Sequence, residues 1–164
     1  MRIDFDQMPD HARLWVYQAN RALTDAEQQT LQQELGHAFD PWAVHGQPLT
    51  NAVQVLQNRF VLLAVDEKAY AASGCSIDSS TRIIREIGQA FNIDFFDRSV
   101  IYRTEGGVSA VNGLKVKTAV QQGILQPDTI LFNNQVKTVG AFRAGWEIPA
   151  SESWMKRFFT SINV

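Results

Sequence analysis

A single cysteine, Cys75, leaves this chain of 164 residues without any internal disulfide. Only three histidines are present, His11, His37 and His45, and they show neither HxxxH nor HExxH spacing, so no metal site is expected. No cofactor-binding motif is present either, and none is expected to be bound. No run approaches the ~18 apolar residues that a membrane helix requires. The opening MRIDFDQMPDHAR carries acids where a secretory signal places bases and then an apolar stretch, which makes the cytoplasm the expected compartment. Positive charge is not in excess: 15 Lys and Arg stand against 17 Asp and Glu, a net charge of −2. The bases fall in scattered pairs, such as Arg82 and Arg85, Lys115 and Lys117, and Lys156 and Arg157. That argues against a nucleic-acid binder working by phosphate neutralisation, which usually shows a basic stripe.

What is present belongs to an ordinary globular chain. Hydrophobic residues make up 45%, and a chain of this size buries roughly two-thirds of its unfolded surface, enough for a core without staples. Ala12 to Gln18 reads as a strand. Thr24-Asp25-Ala26-Glu27 is a capping box, opening a Gln-rich helix expected to run to Leu35 and to stop at a left-handed Gly36. Two β-rich runs, AVQVL and RFVLLAV, flank Gln57-Asn58, a tight-turn signal, and the second is apolar enough to be a central strand. A second helix is expected to begin near Ser76 to Asp78, with Ile77, Ile83, Ile84, Ile87 and Phe91 at helical spacing. Ser99 to Thr104 and Val108 to Val111 flank Glu105-Gly106-Gly107, a hairpin. A short helix stopped by Gly123, a strand at Thr129 to Phe132 and an aromatic tail complete the chain.

The resulting expectation is an α+β fold. Residues 1–98 form a ferredoxin-like β-α-β-β-α-β unit, and 99–164 a small appendage packed on it, built as hairpin, helix and strand. In that topology the loop leaving the third strand lies where the first strand begins and the first helix ends. It gathers Ala72 to Asp78, His11, the segment His37 to Pro41 and the loop of His45, so the histidines meet the only cysteine. Ser73, Gly74, Ser76, Asp78, Ser79 and Arg82 then become candidate ligands for a small anion at a helix N-terminus. Cys75 becomes a candidate nucleophile, its thiolate favoured by the helix dipole, with His37 or His45 as base. The plain readings weigh against these: a lone cysteine usually packs as a small hydrophobe, and Ser76, Asp78 and Ser79 are ordinary N-cap residues. Asp66-Glu67 reads as a general-base pair or a metal ligand set, although such residues more often just end a strand in solvent.

The blocks LWVYQANR (Leu14 to Arg21), FVLLAVDE (Phe60 to Glu67), ASGCSIDSSTRIIREI (Ala72 to Ile87) and GILQPDTILFNN with VKT (Gly123 to Thr138) resemble a family of small uncharacterised bacterial proteins often labelled "ABC transporter ATPase". The label does not fit the residues: such an ATPase needs G-x-x-x-x-G-K-[ST] after a strand, and the chain has none. Glu105 to Trp146 is similar in order to small GYF-type domains, which bind partners, although their defining aromatic motif is missing. The expected function is that of a cytosolic binding or regulatory protein recognising a small anionic ligand or a protein partner. The alternative is a Cys75-dependent enzyme of acyl or thiol chemistry. A homodimer or larger assembly is a third reading, which would present an exposed apolar patch involving Phe95, Trp146 or Trp154.

Overall fold

The computed structural model describes residues 1–44, 46–68, 72 and 74–160, the side chains of Val44 and Cys75 excepted. These residues form an α+β chain with two larger antiparallel sheets and five α-helices. Two compact units result: Met1–Asp97 with Gln135–Ala144, and Arg98–Asn134 with Gly145–Val164. Treating 99–164 as one piece is therefore corrected, because Gln135–Ala144 belongs to the first unit. The cause is apolar: Val139 is fully buried there, with Val136 and Phe142 packed around it.

The first unit is built from β1 (Arg13–Gln18), α1 (Asp25–Phe39), the short strands β2 (Ala43–Val44) and β3 (Gln47–Pro48), β4 (Thr50–Leu56), β5 (Phe60–Asp66) and α2 (Gly74–Ala90). Its sheet runs in the order β1-β5-β4, with β5 antiparallel to both neighbours. Phe60 through Val65 carry no polar side chain because both faces of this middle strand are covered. On one face lie Leu31, Leu35 and Phe39 of α1 and Ile84 of α2. On the other lie Phe5, Met8 and Val139. The β4–β5 hairpin turns on Gln57 and Asn58, whose φ values of 57° and 51° are those of a type I′ turn.

Two expectations change. The fourth strand of a ferredoxin-like sheet, expected within residues 1–98, is absent from the first unit's sheet among the described residues, whereas the expected hairpin forms as β6 (Val100–Thr104) and β7 (Gly107–Val111), with β8 (Ile130–Phe132) pairing to β6 in the second unit's own sheet. At the outer edge of β1 there are single backbone contacts, Gln18 N–H to Phe95 O at 3.1 Å and Leu14 N–H to Lys137 O at 2.9 Å. Second, Gly36 does not stop α1. The helix continues to Phe39, and Gly36 is buried within it, where a Cβ would lie 1.6 Å from the Arg2 guanidinium. The glycine makes room for a crossing side chain rather than for a left-handed turn.

The start of α1 matches its sequence signal. Thr24 Oγ1 accepts from Glu27 N–H at 3.1 Å, and Glu27 Oε1 accepts from Thr24 N–H at 3.0 Å. Arg21 then grips Glu27 with both nitrogens, at 3.0 and 2.7 Å, and donates to Phe91 O at 2.8 Å. Arg21, and next the Thr24 amide, lower the Glu27 carboxyl to about 2. A folded value below the unfolded one of ~4.3 means that this stabilisation is complete above ~pH 4.3 and lost as pH falls towards 2. Urea denaturation across that window should show stability falling with acid, and Glu27→Gln should flatten the slope; an unchanged slope would sink the assignment.

The second unit orders its sheet β7-β6-β8-β9 (β9 is Glu147–Pro149) and adds α3 (Val116–Gln121) and α5 (Lys156–Thr160). The helix α4 (Val139–Gly145) lies between β8 and β9 in the chain. Val100, Val116, Leu125, Leu131, Met155 and Phe159 make the unit's core. Gly123 ends α3 at φ 75°, with Gly123 N–H donating to Val120 O and Ile124 N–H to Ala119 O, a Schellman arrangement.

Candidate functional site

The end of the sheet where β5 finishes is tied together by hydrogen bonds. Trp42 Nε1–H donates to Ser76 O at 3.2 Å, and Ser76 Oγ donates to Ala43 O at 3.2 Å, so the segment after α1 holds the first turn of α2. Asp66 accepts from Lys68 N–H and stands 3.0 Å from His11 Nε2; the amide first and then the histidine hold its carboxyl below the usual range. Glu67 accepts from Ala72 N–H at 2.9 Å and stands 3.6 Å from Arg13. The Asp66-Glu67 pair is thus engaged in fixing the chain that leaves β5.

The expected site residues are distributed as follows. The helix begins at Gly74, so Ser76, Asp78 and Ser79 are inside α2 rather than N-caps, a correction that follows from the earlier start. Ser76 is buried, at 6% exposure, and its hydroxyl serves the packing against Ala43 instead of facing solvent. Further along, the Ser80 and Thr81 hydroxyls donate to Ile77 O. Gly74, Asp78 and Arg82 are exposed, and Ser79 is half-buried. His37 is exposed on the last turn of α1. Ser73, His45 and the Cys75 side chain lie outside the described residues. Among the described residues no three His, Cys, Asp or Glu side chains converge as a metal cage would require, and no helix is long and apolar enough to cross a membrane.

Of the aromatics expected in an exposed patch, Phe95 and Trp146 are buried at 2% and 7%, and only Trp154, at 47%, is open. Phe95 fills the core between α2 and the first sheet, while Trp146 stacks edge-on to Phe132.

Sequence reasoning passed over a cleft in the second unit. It has a volume of about 410 Å³ and is lined chiefly by Val120, Leu125, Pro127 and Phe159, with Lys156 as its charged member. Local chemistry builds it. The left-handed Gly123 turns the chain under α3, so that Leu125 is buried, and Pro127 O accepts from Ser151 N–H at 2.9 Å. Phe159 closes the cleft from α5. Ile124, beside it in sequence, is 46% exposed. The Gly-Ile-Leu-Gln-Pro run was the available signal, but it does not reveal which C-terminal side chain comes to face it.

Comparison with protein-family models, with curated proteins and with solved structures gives no match to this chain.

Proposed function

We propose that this chain is a small cytosolic binding protein whose partner is another protein, engaged through the apolar cleft of the second unit. The carrying observation is the cleft, whose lining of Val120, Leu125, Pro127 and Phe159 is mostly apolar with Lys156 as its one charged member, a surface on which apolar side chains of a partner can be buried. The similarity of Glu105 to Trp146 to GYF-type partner-binding domains supports the reading through the part of that stretch, residues 105–134, that lies in the second unit. The order β1-β5-β4, with the middle strand antiparallel to both, supports a ferredoxin-like origin for the first unit. An anion site at α2 draws less support, since the Ser76 hydroxyl is spent on Ala43.

A photocrosslinking amino acid at the exposed Gln126, beside the cleft, tests the proposal in cells. The expected result is one discrete protein adduct that disappears when Val120→Glu or Pro127→Glu places a carboxylate in the apolar lining. No adduct, or an adduct indifferent to both changes, removes this reading.

A further inference from the structure

β4 is an edge strand, and the side turned away from β5 presents backbone groups that need partners. At its start the chain itself supplies them. Asn51 N–H donates to Met1 O at 2.9 Å and Ile3 N–H to Asn51 O at 2.8 Å, a parallel pairing centred on Arg2 and Asn51. After Ile3 the N-terminal segment leaves the edge for the 3-10 turn Phe5–Gln7. The position that a continuing strand would fill is taken by a side chain. Gln32 of α1 donates from Nε2 to Val53 O at 2.9 Å and accepts at Oε1 from Val55 N–H at 2.8 Å. One N–H and one C=O offered to residues two apart is what a single residue of an added strand provides. One turn earlier, Gln28 Oε1 accepts from Asn58 N–H at 2.7 Å.

Around this contact lies a groove of about 800 Å³, walled by Ile3 and Phe5, by Gln29 and Gln33 of α1, and by β4 itself. Gln29 and Gln33 are exposed. We propose that the groove is a strand-addition site: an extended segment of a partner polypeptide displaces the Gln32 carboxamide and pairs with Val53 and Val55. Its direction continues that of Met1–Ile3. Two observations fix the occupant as an extended backbone. The edge already accepts a parallel strand at Asn51, and the groups held by Gln32 are main-chain groups, which a strand satisfies two at a time. The carboxamide walls, with only Arg2 and Asp4 charged and of opposite sign, suit Thr, Ser, Asn or Gln side chains on the incoming strand. The exchange loses little, because two hydrogen bonds to a flexible side chain are replaced by two to a strand, and alternate residues further along the strand add their own pairings. This site is independent of the cleft in the second unit.

The test is titration of the whole protein with a seven-residue peptide alternating Thr and Val, acetylated and amidated, followed by amide NMR. The expected result is shifts at Val53, Gln54 and Val55 and at Gln28 to Gln33. The same peptide N-methylated on its pairing edge should produce none. Gln32→Ala, which removes the competing amide, should bind about tenfold tighter, the factor that ~1.4 kcal/mol represents. The wild-type comparison of the two peptides stands even where that variant folds poorly. Absence of shifts at β4, or equal shifts from the N-methylated peptide, overturns the proposal. So do shifts at β4 that grow with protein concentration alone, which would give the edge to a second copy of the chain.

Discussion

Replacing Trp42 with alanine is expected to cost about 3–5 kcal/mol, the range for removing a large buried aromatic. Trp42 is 6% exposed and lies edge-on to Phe39, with ring centroids 5.4 Å apart. Its backbone links Phe39 O to Leu49 N–H, so it also sets the path between α1 and β4. The indole N–H adds a second function, because it holds Ser76 O in the first turn of α2. Trp42→Phe separates the two effects. It keeps most of the ring and loses the donor, so the hydrogen bond to Ser76 O is removed at a cost of about 0.5–1.5 kcal/mol. Urea denaturation gives the first quantity. The alkylation rate of Cys75, next to Ser76 and the only thiol, gives the second, and it should rise in Trp42→Phe. A rate identical to wild type would mean that the start of α2 is held without the indole.

Gly88→Ala carries the second large effect, the balance of helix propensity and packing, which act with opposite sign. Helix propensity alone favours alanine inside α2 by roughly 1 kcal/mol. Packing opposes it: a Cβ at Gly88 would lie 2.7 Å from Ile93 O and 2.9 Å from Phe95 Cδ2. Neither neighbour can yield easily. Ile93 is tied by its own N–H to Gly88 O at 2.8 Å, and Phe95 is 2% exposed in the core beneath α2. Overpacking of this kind costs about 1–3 kcal/mol, occasionally more, so a net loss of about 1 kcal/mol is expected after the propensity gain. A lower urea midpoint is the predicted outcome. A midpoint at or above that of wild type would show that the 93–95 segment relaxes away from the helix.

Much of the local structure was legible in the residues. The capping box of Thr24 and Glu27 forms both of its hydrogen bonds, Gln57-Asn58 makes the tight turn, and Gly123 adopts the left-handed conformation that ends α3. Each signal works within a few residues, so sequence spacing nearly specifies its geometry. Gly36 shows where such reading fails. Its place after Leu35 looks like a helix stop, yet its role is set by Arg2, which approaches from the far end of the chain. The candidate site divides in the same way. Grouping the end of α1 with the start of α2 followed from strand order, and Trp42 and Ser76 do meet there. That the Ser76 hydroxyl would be consumed by Ala43 was not visible, because the choice of hydrogen-bond partner depends on the third dimension.

By itself, then, the sequence determined β1, the start of α1, the β4–β5 hairpin with its apolar middle strand Phe60–Asp66, the β6–β7 hairpin, the stop of α3 at Gly123, and the exclusion of disulfides within the chain. Tertiary structure alone decided that β8 pairs with β6, that Gln135–Ala144 covers the first sheet, and that the Gln32 carboxamide meets Val53 O and Val55 N–H at the edge of β4. The physical reason is shared. Dihedral preferences and caps act between neighbours in the chain, whereas the pairing of a strand edge and the burial of an apolar face are settled by whichever distant segment satisfies them.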